Sequence, residues 1–436
     1  MKNRVRDFAR LSGVEATLIS IFCIAFAIQY NSGSRSRLAL AFLTVALVSV
    51  SKDITSRSLR LRWSLPCAIL GWEFLALWFA QPCLGLLAGA VPFRAGILFC
   101  GIAACIVCVA RSDRSRQVAF AIAVGAMFVV GVWVLRTTPK PPIDTYIVQQ
   151  DGSAALFSGV NPYEIRFPDI YDAAFAKQVY GPGVSVNGRL TFGFPYPPLS
   201  LLLSSLGYLI GGDCRYANLA AICVATVLVA YARPSRLSFI AALLLLFVPR
   251  VFYVITMSWT EPVVIFLLSA VVFCLCRFPV AAPWVTGLLL AGKQYLMLVA
   301  PLLLGKWQEA SKAALIAVLV TAPLALWNVA EFWQSVVLLQ FRQPLRFDAL
   351  TYMAQLAEYG IRLPGWLPFL LAAAVIAFAL WKGTVTPSAK CHAIGFVLLV
   401  FFAFNKQAFS NYYFLVIGVL VCAVATAGNE SIKKPT

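Results

Sequence analysis

The sequence predicts an all-α, polytopic membrane protein of about 12–14 transmembrane helices with a large structured loop outside the cytoplasm. Three observations carry this. The chain has 436 residues, of which 61% are hydrophobic and only 12% charged, with a mean hydropathy of +0.84. A soluble domain carries about a quarter charged residues. Apolar runs of roughly 14–20 residues recur along the chain, about the length that crosses a bilayer as a helix. The bases gather at the edges of those runs. A β-barrel would show short stretches of period-two alternation instead.

The formal net charge is +18, but its distribution argues against nucleic acid as a partner. Lys2, Arg4, Arg6 and Arg10 precede the first apolar run. Lys52, Arg57, Arg60 and Arg62 sit between the second and third, Arg111, Arg114 and Arg116 between the fourth and fifth, and Lys433 and Lys434 at the end. Such flanking clusters mark cytoplasmic loops and set orientation. No small-residue cleavage site follows the first run, which therefore reads as a span rather than a signal peptide.

The expected spans begin at 15–30, 38–50, 64–81, 94–110 and 118–135. Glu73 lies inside the third. An intramembrane carboxylate is a functional candidate by default, though a protonated or hydrogen-bonded structural role suits it here. Five crossings from an inside start place residue 136 outside. The loop 136–196 follows, with five acids (Asp144, Asp151, Glu164, Asp169, Asp172) balanced by five bases. Its length and its aromatic and proline content favour an ordered, functional segment.

The next apolar run, 199–212, is short: about fourteen residues rise ~21 Å against a ~30 Å hydrocarbon core. Two topologies compete. If it crosses, the basic turn at Arg233 and Arg236 falls outside and Glu261 inside. If it lies along the interface, the basic turn is inside and Glu261 emerges outside, which obeys the charge rule better. The second topology makes residues 282–307 a hairpin of two short halves whose bend, Lys293-Gln294, points outward. Such broken segments occur where irregular backbone lines a buried polar cavity. Later spans are expected at 312–329, 366–381, 391–404 and 412–427, with 330–365 a second outer segment. Tyr412 and Tyr413 read as interfacial belt residues.

Most of the twelve cysteines lie in apolar runs and behave as small hydrophobes. Cys105 and Cys108 have no second pair or histidine near them, so zinc is not expected. His392 is the one histidine and reads as structural, which leaves no Ser-His-Asp triad.

The outer side collects Asp144, Glu261, Lys293, Arg342 and Arg346. A carboxylate there accepts a proton from an attacking hydroxyl, and cations hold a phosphate leaving group. No Gly-rich phosphate loop is present, so nucleotide chemistry is not expected. At this point the chain resembles a known family. Ile143-Asp144-Thr145-Tyr146, Gln149-Gln150-Asp151-Gly152, Gly159-Val160-Asn161-Pro162-Tyr163 and Tyr196-Pro197-Pro198-Leu199 look like the first outer loop of the GT-C superfamily. The branch is the bacterial polyprenol-phosphate-mannose mannosyltransferase type, glycosyltransferase family 87. Trp259-Thr260-Glu261-Pro262 and Gly292-Lys293-Gln294 with Pro301 resemble its later helix motifs, and the likeness covers about residues 118–420.

The resemblance implies a membrane glycosyltransferase with a GT-C-like fold. It would move a sugar, such as mannose, from a polyprenyl-phosphate donor to an extracytoplasmic lipid, glycan or protein acceptor, with inversion. Asp144 matches the general base. Lys293, Arg342 and Arg346 would bind the donor phosphate, and Asp151, Asn161, Tyr163, Tyr196, Glu261 and Gln294 would contact substrate. The implied location is a bacterial plasma membrane with the site on the outer face, and the partners are the lipid-linked donor, the acceptor and membrane lipids. No cofactor or metal is required, although Asp144 and Glu261 leave room for one divalent ion. The expected organisation is extra helices over 1–117, a catalytic unit over 118–427 and a cytoplasmic tail over 428–436. The family places its acidic motif soon after its first helix, whereas four further spans precede it here. A transporter or lipid-linked glycan flippase, and a polysaccharide polymerase or ligase, are the alternatives.

Overall fold

The computed structural model describes residues 12–31, 36–52, 61–83, 90–138 and 140–427. The basic amino-terminal cluster Lys2 to Arg10, Arg57, Arg60 and the expected tail 428–436 lie outside these residues. The described chain is all-α apart from one two-stranded hairpin.

Five helices come first: α1 (Gly13–Gln29), α2 (Ser36–Val50), α3 (Ser64–Phe79), α4 (Ala90–Val109) and α5 (Asp113–Thr137). Each matches an expected span to within a few residues. Ser12 and Glu15 close a reciprocal capping box at the start of α1, and the Ser112 hydroxyl caps α5 by accepting from Ser115 N, which satisfies otherwise orphaned amides. The 136–196 loop, expected to lie outside, is itself structured. It forms α6 (Asp144–Phe157), α7 (Ala173–Tyr180) and a hairpin of β1 (Ser185–Val186) and β2 (Arg189–Leu190). It has its own small apolar core around Tyr163, Phe167 and Phe194.

Next come α8 (Pro198–Gly211), α9 (Arg215–Ala232), α10 (Arg236–Leu246), α11 (Val251–Thr256) and α12 (Glu261–Arg277). A broken hairpin follows: α13 (Ala282–Leu290), a 3-10 turn (Gln294–Val299) and α14 (Ala300–Leu303). Then α15 (Trp307–Ala325) turns through 115° into α16 (Val329–Phe332), a π-helical turn (Trp333–Leu338) and α17 (Leu339–Arg342). The chain closes with α18 (Tyr352–Glu358), α19 (Leu367–Lys382), α20 (Pro387–Ala403) and α21 (Ser410–Ala427).

Among the described residues four helices are long and apolar enough to cross a membrane, or five if the bent pair Trp307–Ala325 and Val329–Arg342 counts as one span. The other apolar helices run 10–17 residues, at most about 26 Å at 1.5 Å per residue. By length alone, then, the expected count of about 12–14 is not reached.

Hydrogen bonds at the helix ends define two ends of the bundle. At one, Arg236 Nη2 donates to Cys108 O at 2.5 Å, Arg233 to Thr426 O at 3.2 Å and Arg277 to Tyr231 O at 3.2 Å. The termini of α4, α9, α10, α12 and α21 therefore meet at a basic end, where arginines satisfy terminal carbonyls. At the other end Asn31, Asp144, Trp259, Lys293 and Ser410 line one cavity. Arg233 and Arg236 thus lie opposite Glu261, as the interfacial reading of 199–212 requires. Both ends of α8 also stay on the cavity side. It starts just after Tyr196 of the cavity wall and stops at Gly212, whose carbonyl accepts from Gln150 of α6 at 2.9 Å. Gly207 lets α8 approach α9 closely, since a Cβ there would stand 2.6 Å from Ala217 N.

One contiguous apolar core runs from Val14 through Ala427, so the helices of 1–117 and of 118–427 share it. His392 is structural: its ring bridges Thr17 of α1, at 3.2 Å, and the Val50 carbonyl of α2, at 2.7 Å. Glu73 is buried in α3, and neither carboxylate oxygen has a hydrogen-bond partner. A hydrogen-bonded role for it is not what the structure shows. Tyr413 is no belt residue either. It is buried and donates to Leu350 O at 2.5 Å.

Candidate active site

The cavity at the loop end holds about 460 Å³. Its walls come from both halves of the chain. The end of α1 supplies Asn31, the 136–196 loop supplies Asp144, Tyr171, Tyr180 and Tyr196, and the segment after α10 supplies Arg250 and Tyr253. Lys293, Arg346, Asp348 and Asn411 add further polar groups to the lining.

Asp144 is the first residue of α6, where the helix dipole favours a negative charge. Its Oδ1 accepts from Thr145 N at 2.7 Å and its Oδ2 from the Tyr180 hydroxyl at 2.9 Å. The Tyr171 hydroxyl accepts from Asp144 N at 3.3 Å. Withdrawal from bulk water pushes the Asp144 carboxyl above the ordinary aspartate range, while the Tyr180 hydroxyl, the Thr145 amide and the Arg346 charge pull it partly back. Burial, reinforced by the same carboxylate, raises the Tyr180 phenol, so Tyr180 stays a donor. A raised aspartate that remains anchored suits a general base. Its competent form is the ionised one, so activity is expected to rise as pH climbs through the raised value. Tyr180→Phe removes a bond that favours ionisation. The acid limb of a pH–rate profile is therefore expected to move to higher pH in that variant, and an unmoved limb would separate Tyr180 from the proton transfer.

Beneath the cavity lies a buried pair. Lys293, at the bend of the broken hairpin, is 5% exposed and Glu261 is fully buried. Lys293 Nζ stands 3.5 Å from Glu261 Oε1 and donates to Thr260 Oγ1 at 2.5 Å. Glu261 also accepts from Tyr295 at 3.2 Å and from Asn411 at 2.8 Å. Both oxygens of this carboxylate thus accept a hydrogen bond, and one also faces the ammonium, which is how a buried charge is tolerated. The Lys293 ammonium also lies 3.9 Å from the centroid of the Tyr196 ring, a cation–π contact that turns the Tyr-Pro-Pro element toward it.

On the opposite wall Arg346 forms a two-bond fork with Asp348, at 2.8 and 2.7 Å. Its guanidinium is flanked by the rings of Phe175 and Phe409.

The expected site residues therefore divide. Asp144, Lys293, Arg346 and Tyr196 line the cavity, and Glu261 sits directly behind Lys293. The remaining five are outside the lining. Arg342 is exposed, because α17 turns Leu339, Gln340 and Gln343 to the cavity and residues 341–342 away from it. Asp151 is exposed on α6. Asn161 Oδ1 accepts from Tyr163 N at 3.0 Å, and the buried Tyr163 donates to Tyr196 O at 3.0 Å. These two hold the loop beneath Tyr196. Gln294 donates to Pro195 O at 2.8 Å and Val336 O at 3.1 Å, tying the bend of the hairpin to the loop.

Sequence reasoning missed Tyr171, Tyr180, Asn411 and Arg250. Tyr180 stands 36 positions from Asp144, and only the folding of α7 back over α6 joins them. Arg250 did carry a signal: it is a lone base between two apolar runs. Among the described residues no group of three or more His, Cys, Asp or Glu side chains is placed to hold a metal ion. The oxygens of Glu261 are already committed to Lys293, Tyr295 and Asn411 rather than shared with Asp144.

Compared with family models, with curated proteins and with solved structures, the chain matches none of them.

Proposed function

We propose that this chain is an integral-membrane glycosyltransferase that takes a hexose such as mannose from a polyprenyl-phosphate donor and delivers it to a hydroxyl of an acceptor outside the cytoplasm. One observation carries the reading. A partly buried carboxylate with a raised affinity for protons shares a cavity with a lysine and an arginine, at the end of an apolar helix bundle opposite its arginine-rich end. Basic ends face the cytoplasm, so the cavity faces away from it.

In the reaction, the acceptor hydroxyl gives its proton to Asp144 as its oxygen bonds to the anomeric carbon. The bond from that carbon to the phosphate oxygen breaks, and its electron pair leaves with the phosphate. One displacement inverts the anomeric centre. The departing polyprenyl phosphate gains negative charge, which Arg346 and Lys293 offset at short range. Both cations carry a carboxylate partner, Asp348 and Glu261, which fixes their positions before substrate arrives. The polyprenyl tail lies against the apolar outer face of the helices.

The test uses the full chain in phosphatidylcholine nanodiscs with radiolabelled polyprenyl-phosphate mannose and a lipid extract as acceptor. Label is expected to move to an extractable acceptor and to leave free polyprenyl phosphate. The absence of chain-dependent transfer with each of several hexosyl donors would reject the reading.

A further inference from the structure

Three cations line the cavity, and two of them hold a carboxylate within salt-bridge distance. Lys293 has Glu261 and Arg346 has Asp348. Arg250 also lines the cavity, and among the described residues no carboxylate lies within salt-bridge distance of it. Its guanidinium keeps its proton at any physiological pH. Its hydrogen bonds go to backbone: Nε donates to Ile28 O at 3.3 Å and Nη2 to Gln29 O at 3.2 Å. These are carbonyls at the end of α1, where a cation meets the negative pole of the helix. The Tyr253 ring packs against the guanidinium, 4.9 Å from centroid to Cζ. Two faces of the fork are thus fixed by α1 and by Tyr253. Among the described residues Nη1 has no hydrogen-bond partner, and it is not sealed from solvent.

We infer that Arg250 forms an oxyanion subsite of this cavity, and that the second substrate carries a phosphate or carboxylate that seats there. A half-buried guanidinium with its fork fixed and one edge unmatched is pre-organised for a two-oxygen acid. A neutral ligand would leave that guanidinium without an ion-pair partner in a partly desolvated place. Asn31, two residues beyond the Gln29 carbonyl that holds Nη2, lines the same cavity. The subsite joins both halves of the chain: α1 positions the arginine, and the segment after α10 contributes it. It deepens the transferase reading by giving the acceptor a negative charge. The acceptor role rests on the transferase reading, whereas anion binding at Arg250 needs no donor.

The experiment measures anion binding to the full chain without donor. Inorganic phosphate is titrated in phosphatidylcholine nanodiscs, and in a second set phosphatidylglycerol is built into the discs. The readout is the anion-dependent rise in unfolding temperature, which follows from binding to the folded state alone. Wild type is expected to respond to one or both probes. Arg250→Gln is expected to weaken the response by roughly 10- to 100-fold, the loss of a charged hydrogen-bonded contact. Asn31→Asp keeps Arg250 and α1 intact but places a carboxylate in the subsite, and is expected to weaken binding similarly. It decides the matter if Arg250→Gln does not fold. A response to free phosphate assigns a soluble or phosphorylated ligand, and a response to phosphatidylglycerol alone assigns a lipid headgroup. Wild-type response to neither probe, or equal affinity in wild type and Asn31→Asp, overturns the subsite. Sugar transfer without Arg250-dependent binding removes this inference alone. Arg250-dependent binding without transfer from any hexosyl donor removes the transferase reading alone.

Discussion

Asp144→Asn is expected to lower sugar transfer by roughly 10²- to 10⁴-fold, the usual contribution of a positioned general base, and to leave donor binding in place. The carboxamide keeps an oxygen for the Thr145 amide, so the start of α6 is preserved. Its stability should not fall. The Asp144 pKa is raised in the folded protein, so ionising it opposes folding at pH values above its unfolded pKa. A neutral side chain avoids that cost, and the unfolding temperature at pH 7 should match or exceed that of wild type. Labelled-donor transfer, donor binding and thermal unfolding on one preparation check all three. Transfer at the wild-type rate would remove Asp144 from the chemistry. A collapse in stability together with activity would reassign it to holding the loop.

Glu261→Gln should have the largest effect on stability. It strands the buried Lys293 ammonium, whose remaining neighbours are the Thr260 hydroxyl and the Tyr196 ring. Removing one member of a buried pair costs about 3–5 kcal/mol. The double change Glu261→Gln with Lys293→Met removes both charges and is expected to recover most of that loss, because a pair replaced together by uncharged groups is often nearly neutral. Transfer should remain low in the double variant, since the cation under Tyr196 is gone. Denaturant midpoints of the two single variants and the double in detergent measure the coupling. Equal midpoints for wild type and Glu261→Gln would mean that Lys293 is not charged in the folded state.

How much of this was legible in the sequence follows physical lines. The helices were, because burying an apolar run of that length leaves few alternatives to a helix, and the basic clusters marked one end. The bend at Lys293-Gln294 was legible too, since neither flanking half was long enough to cross alone. Asp144 stood out as an acid soon after a span. What was hidden required the loop's tertiary fold. Tyr180 meets Asp144 only after α7 turns back. Arg342 and Arg346 look alike in sequence, and the geometry of α17 and the turn after it separates them. The structure of the outer loop was equally hidden: a 14-residue helix, α6, begins at the residue expected to be a loop acid.

The first described helix packs against the last: α1 lies along α21, and His392 of α20 bonds to α1. During synthesis those partners emerge far apart in time. About 380 residues separate the end of α1 from the start of α21, and at roughly 5–20 residues per second the gap is on the order of 20 to 80 s. Throughout that interval α1 must remain inserted without its final neighbour. The carbonyls that will steady Arg250 are in place long before the arginine arrives, but the pocket gains its floor only once Asn411 is delivered to Glu261. Translation must therefore run almost to the end of the described chain before the cavity exists, and a nascent chain halted before α21 would carry every loop acid yet lack a finished cavity.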